Sequence, residues 1–106
     1  MPAVARVGDL VKIDCPHGPQ TGIITIGSEF TITDSLKTAR VGDTVVCLCC
    51  GEKGQIITGS EYTFADSRKV ARVDDKTMGL CNYGCKLCKH SRSGTIITGS
   101  DYTFTA

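Results

Sequence analysis

Apolar and polar positions alternate in three stretches of this chain that share one frame. Ile24, Ile26, Ser28, Phe30 and Ile32 stand at every second position, as do Ile56, Thr58, Ser60, Tyr62 and Phe64, and Ile96, Thr98, Ser100, Tyr102 and Phe104. A period of two, rich in β-branched and aromatic residues, predicts half-buried strands with these side chains on one face. The other face carries Glu29/Glu61/Asp101, Thr31/Thr63/Thr103 and Thr33/Ala65/Thr105. The glycine before each serine predicts a bend or bulge between two short strands. No segment sustains a helical period, so the chain reads as all-β.

The three stretches belong to a repeat. The string ARV(G/D)D occurs at Ala5–Asp9, Ala39–Asp43 and Ala71–Asp75, and GS(E/D)-aromatic-T at Gly27–Thr31, Gly59–Thr63 and Gly99–Thr103. Three units, at about 4–33, 38–65 and 70–106, predict pseudo-threefold symmetry within a single domain spanning 1–106. Equivalent inward residues are then expected to meet as layers, Phe30/Tyr62/Tyr102 and Ile32/Phe64/Phe104. Asp34-Ser35-Leu36-Lys37-Thr38 and Asp66-Ser67-Arg68-Lys69-Val70 read as turns in which Asp bonds its own backbone. The third unit stops where its turn would begin, and Ala5–Asp9 supplies the missing string, so the two ends of the sequence are expected to lie together. Arg6/Arg40/Arg72 and Asp9/Asp43/Asp75 predict exposed ion pairs, each contributing about 0–1 kcal/mol. Asp74 replaces Gly8 and Gly42; if the position needs positive φ, Asp is among the least costly substitutes.

Length and composition narrow the function. With 106 residues there is room for one modest core. A net charge of +1 favours neither nucleic acid nor basic partners. No apolar run approaches the roughly 18 residues that span a bilayer, and the first residues lack the pattern of an export signal. Seven cysteines in such a chain point to metal before disulfides.

Every cysteine and histidine falls between an ARV(G/D)D string and the following GS pair. The first loop holds Cys15 and His17, the second Cys47, Cys49 and Cys50, the third Cys81, Cys85, Cys88 and His90. Each loop has a Cys-x-(Cys/His) pair: Cys15/His17, Cys47/Cys49 and Cys88/His90. His17 and Cys49 lie ten residues before the GS glycine and His90 nine, so threefold symmetry would gather them on the axis at one end. Thiolates and imidazoles that converge suit tetrahedral zinc. The expected shell is His17, Cys49 and His90 with one of Cys15, Cys47 or Cys88. Cys81, Cys85 and Cys50 leave room for a second ion. Buried thiols or disulfides are the alternatives to metal. A closed shell without HExxH, and with only Asp14 and Glu52 as nearby acids, predicts structural zinc and no enzyme.

The strings ARVGD, CPHG and IITIGSEFTI, with their repeats over essentially the whole chain, resemble the PAAR-repeat proteins. That resemblance implies a small cone-shaped domain with a metal-clamped apex. It also implies a sharp tip that caps the homotrimeric β-helical spike of a contractile injection machine, one tip per trimer, and helps pierce the target cell envelope. Such machines include phage tails with their baseplates and type VI secretion systems. The tip would be assembled in the bacterial cytoplasm and would carry zinc. The family zinc is typically held mostly by His with one Cys; here His17 and His90 carry over, Cys49 would replace a third His, and the fourth ligand stays open. The spike-facing base is expected to include Val4, Leu36, Val70, Thr105 and Ala106. A competing reading is a small zinc-binding module for nucleic acid or protein, using Lys86, Lys89, His90 and Arg92. Near-zero net charge and the lack of an aromatic stacking surface weigh against nucleic acid.

Overall fold

The computed structural model describes residues 2–13, 20–48, 53–80 and 92–105. Within them the chain is all-β. Strands β1 (Leu10–Ile13) and β2 (Gln20–Ile24) form the first antiparallel pair. After the two-residue strands β3 (Ile32–Thr33) and β4 (Leu36–Lys37) come β5 (Thr44–Cys47) and β6 (Lys53–Ile56). Strands β7 (Phe64–Ala65) and β8 (Arg68–Lys69) repeat the small pair, and β9 (Lys76–Leu80) and β10 (Arg92–Ile96) the large one. The three large pairs close a six-stranded barrel in the order β1-β10-β9-β6-β5-β2. Principal extents of 36 × 23 × 22 Å, with two nearly equal short axes, match a threefold body.

One end of the barrel is tied by the alanines of the repeated string. Ala5 N–H donates to Ala71 O at 2.9 Å, Ala39 N–H to Ala5 O at 3.0 Å, and Ala71 N–H to Ala39 O at 2.9 Å. The three bonds form a closed ring, and all three residues are fully buried. Above this ring the barrel interior is filled by Val11, Ile13, Ile24, Val45, Cys47, Ile56 and Ile96. Ile24, Ile56 and Ile96 are inward, as their alternation predicts. Below the ring, Val4, Ala65 and Val70 form a second, smaller cluster, and Thr33 Oγ1 and Thr38 Oγ1 bond each other at 2.7 Å.

The aromatic layers expected from the alternation do not form. Phe30, Tyr62 and Tyr102 are 87%, 79% and 83% exposed, and Ile32, Phe64 and Phe104 also face solvent. The cause lies in the serines. Ser28 Oγ accepts from Phe30 N–H at 3.1 Å and Thr31 N–H at 2.9 Å. Ser60 and Ser100 do the same for Tyr62/Thr63 and Tyr102/Thr103. A serine that gathers the next amides bends the backbone. The extended frame is lost there, and the aromatic turns outward. The preceding glycine serves close approach: a Cβ on Gly27 would stand 2.9 Å from Thr38 O, on Gly59 2.8 Å from Val70 O, and on Gly99 2.9 Å from Val4 O.

The arginine–aspartate pairs are also not the exposed pairs expected. Arg40 Nε and Nη2 reach the two oxygens of Asp43 at 3.0 and 2.9 Å, and Arg40 N–H donates to Oδ2 at 2.8 Å. Asp9, Asp43 and Asp75 are all buried, because each carboxylate closes its own turn on two backbone-linked donors. The aspartate fork holds the pKa of Arg6, Arg40 and Arg72 above the usual arginine range, the side-chain hydrogen bond outweighing burial. Stability from a raised arginine is complete at neutral and acid pH and is lost only as strongly alkaline pH passes the folded value. The turns behave as the glycine substitution predicts: Gly8, Gly42 and Asp74 have φ of 95°, 92° and 78°.

The small hairpins turn at Asp34-Ser35 and Asp66-Ser67, where all four residues have φ between 51° and 67°. Two consecutive left-handed residues give the tight turn that matches strand twist. Their carboxylates do not bond the local backbone as expected but cross to neighbouring units. The ends of the sequence meet as predicted. Ala3 pairs with Phe104, and Thr105 N–H donates to Pro2 O at 3.0 Å, so the two termini form the third small hairpin.

Two measurements check this account. Arg40→Ala, which strips the fork from buried Asp43, should lower unfolding free energy by about 3 kcal/mol in urea titration; Arg40→Ala/Asp43→Ala should lose much less than the sum of its single changes. Thr77 is fully buried at an inward position, and its Oγ1 has no hydrogen-bond partner among the described residues. Thr77→Val should therefore raise stability by about 1 kcal/mol, against the cost that this change has where the hydroxyl is bonded.

Candidate functional site

The fold brings two surfaces to opposite ends. At the first, all three large hairpins open in the same direction. Ile13 stands beside Gln20 and Gly94, Cys47 beside Gly22, and Leu80 beside Arg92. The three sequence segments that carry the cysteines and histidines thus leave and rejoin the barrel at one end. Cys47 is the last residue of β5 and is fully buried in the core. It occupies in the second unit the place of Ile13 in the first, four residues beyond the turn aspartate. Cys15, His17, Cys49, Cys50, Cys81, Cys85, Cys88 and His90 lie outside the described residues. The donor set at this end is thiol and imidazole, and the topology gives its segments a common origin around the axis; both fit a structural zinc.

At the other end, beyond the alanine ring, lie the small hairpins. Each unit presents an exposed aromatic and, two residues on, an exposed large apolar side chain: Phe30/Ile32, Tyr62/Phe64 and Tyr102/Phe104. Leu36 adds to the first unit. Of the other residues expected to form a base, Val4, Val70 and Thr105 are buried and shape the surface from beneath, while Ala106 lies outside the described residues. Sequence alternation alone missed the aromatics because their exposure follows from the serine bend. At this end six large apolar residues stand exposed in threefold register, an arrangement more ordered than the single exposed apolar residues that are normal on a monomer.

Carboxylates from the hairpin turns lock neighbouring units at this end. Asp34 Oδ2 accepts from Arg6 Nη1 at 3.1 Å and from the hydroxyl of Ser100 in the third unit. Asp66 Oδ2 accepts from Arg40 Nη1 at 2.9 Å and from Ser28 Oγ in the first unit at 2.5 Å. Each joins a charge-assisted bond within its own unit to one across a seam. The turns of the first and second small hairpins are therefore tied to neighbouring units at this end.

No helix among the described residues is long and apolar enough to cross a membrane. No curated protein matches the chain. A family model described as the PAAR motif matches residues 19–89, which covers β2 through β9, the second cysteine-bearing segment and the third as far as Cys88, one residue short of reaching His90. That span is about two thirds of the sequence and takes in the alanine, arginine and aspartate of two repeats, so the chain belongs to the PAAR-motif family.

Proposed function

We propose that this domain is the tip of a contractile injection machine's spike, seated by its aromatic base on a homotrimeric β-helical spike protein, one tip per trimer. Membership of the PAAR-motif family implies a spike-tip role in contractile injection or type VI secretion systems, and a structural rather than an enzymatic one. The observation that carries the finer reading is the threefold display of Phe30/Ile32, Tyr62/Phe64 and Tyr102/Phe104. A single chain with three like faces is matched by a partner with three identical ones. The end of a trimeric spike leaves strand edges open, and a rigid cap would cover them. In such a machine the opposite end meets the target envelope first. The tip would be assembled in the cytoplasm and carried outward on the spike of a phage tail or a secretion apparatus.

At that leading end we place one structural zinc, held by four of His17, Cys49, His90, Cys15, Cys47 and Cys88. Cys81, Cys85 and Cys50 provide for a second ion. Zinc there would cross-link the three segments to one another and would resist splaying under load. Structural zinc contributes about 10–16 kcal/mol of apparent binding energy in small domains, comparable with the entire stability of an ordinary domain.

Two experiments separate the ends. Phe30→Ser/Tyr62→Ser/Tyr102→Ser should abolish co-purification with the partner trimer while leaving Tm within about 3 °C, since exposed aromatics contribute to interfaces and not to this core. Retained binding by a folded triple variant would overturn the assignment of the base. Elemental analysis should give at least one zinc per chain, and chelation under reducing conditions should lower Tm and the amide protection of Cys47 and Leu80 more than that of Ala39. An unchanged melt would overturn the metal clasp.

A further inference from the structure

The net charge of +1 conceals an uneven distribution along the axis. The six barrel strands and the residues that continue them, 10–13, 20–25, 44–48, 53–57, 76–80 and 92–97, carry Lys12, Lys53, Lys76 and Arg92 and not one carboxylate. The base and the turns below the barrel, 2–9, 26–43, 58–75 and 98–105, hold six cations against nine carboxylates, a net charge of −3. The three internal segments that remain leave this contrast unchanged, since Asp14 and Glu52 balance Lys86 and Lys89. The domain is therefore positive along the barrel and negative at the aromatic base.

The cations lie toward the end where the large hairpins open. Lys12 is exposed between Val11 and Ile13, both buried, so strand alternation turns it outward. Lys53 is exposed at the start of β6 and pairs with Val46, the residue that corresponds to Lys12 in the second unit. Arg92 begins β10, paired with Leu80. Each large hairpin thus places one cation near its open end. Lys76 adds a fourth lower on the wall, its Nζ donating to Thr95 Oγ1 at 2.9 Å. Leu48 and Met78 are exposed on the same wall, at 61% and 52%.

We propose that this end binds a bilayer surface bearing anionic headgroups. Its role rests on the reading of that end as the one that leads; the contact itself rests on the charges. A cation held within a screening length of such a surface strengthens binding about fivefold. The acidic base is repelled by the same surface, so the field turns the domain barrel-first. Cations contributed by all three hairpins, around a body with short extents of 23 and 22 Å, suit a broad surface that can meet several sides at once. A nucleic-acid strand is served instead by a basic stripe along one face. Leu48 and Met78 offer apolar area that the headgroup boundary of a bilayer accepts and a phosphate backbone does not.

The test uses the full chain and vesicles, with no spike partner. Co-sedimentation is compared on phosphatidylcholine alone and on phosphatidylcholine with about one third phosphatidylglycerol. Binding is expected on the anionic vesicles only, weakening as the screening length falls from about 10 Å at 0.1 M salt to about 3 Å at 1 M. Lys12→Gln/Lys53→Gln should lower partitioning roughly 25-fold, while Lys37→Gln/Lys69→Gln, the same loss of charge at the base, should leave it within about twofold. All four lysines are outside the core, so both variants should keep the melting temperature. Equal binding to neutral vesicles, or equal losses from the two double variants, would overturn the proposal. Tighter binding to a duplex oligonucleotide than to the anionic vesicles at the same salt would overturn the bilayer as the partner. Capture of the spike trimer by the aromatic base is read separately, so either result can fail without the other.

Discussion

Three backbone hydrogen bonds, passed from Ala5 to Ala71, Ala71 to Ala39 and Ala39 to Ala5, set the geometry of everything else in this domain. Each alanine donates to one neighbour and accepts from the other, so the ring closes only when the third unit returns to the first. The bonds draw three chain segments to one axis, where all three alanines are fully buried. A longer side chain at any of them would have to enter the packed barrel above or the small cluster below, and dense cores resist such insertion. The residues on either side then have little freedom. The arginine that follows must leave the axis, and the aspartate three positions on folds back to its amide and guanidinium. The turn between them needs positive φ, which Gly8, Gly42 and Asp74 provide. The conserved-looking string within this chain is thus one mechanical element: axis, outward spoke, turn, and return into the barrel.

Much of this was legible because the repeat exposes it. Ile24, Ile56 and Ile96 could be placed inside from alternation, and the meeting of the chain's two ends from where the third unit breaks off. What alternation could not show was the point at which it stops being extended. Ser28 is buried as the pattern requires, yet its hydroxyl gathers the amides of residues 30 and 31, and the next aromatic is delivered to solvent. A period-two reading carries on through such a bend and assigns the wrong face to Phe30, Tyr62 and Tyr102. The burial of Asp9, Asp43 and Asp75 was hidden for a similar reason: a local Arg-x-x-Asp spacing describes an exposed pair as well as a buried one, and the alanine ring decides between them. The partners of Asp34 and Asp66 lie 66 and 38 residues away at Ser100 and Ser28, which no local pattern reveals. The cysteine- and histidine-bearing segments could be picked out from composition and spacing, and the shared end of the barrel at which they leave and rejoin follows from the hairpin topology.

Threefold symmetry written into one chain permits something a trimer of identical chains cannot do. The units stay alike where they close the ring and where they display the aromatic base. They differ at the opposite end, where three segments of unequal length carry seven cysteines and two histidines. Tetrahedral metal takes four ligands, a number that three identical segments cannot supply as equal contributions to a single ion on the axis. Separate encoding of each unit removes that restriction.

The same freedom shows at the base, at the seam where the chain begins and ends. Two seams are tied by the side chains of Asp34 and Asp66, while at the third the strand pair is split between Pro2–Val4 and Thr103–Thr105 and the sequence has alanine at the corresponding position, 106. The ring survives this because its other bonds are kept there: Val4 N–H to Thr103 O at 2.9 Å, Ser100 N–H to Val4 O at 2.8 Å, and Val73 N–H to Ala3 O at 2.8 Å. Backbone pairing thus runs across the third seam, joined by the hydroxyl of Thr105, which bonds those of Ser60 and Thr63 in the second unit. Arg72 keeps the same fork on Asp75 as its counterparts, so the part of the motif that serves the turn is common to all three units. A threefold body made from a linear chain must interrupt one of its three seams, and here the interruption falls where pairing between Ala3 and Phe104 can bridge it.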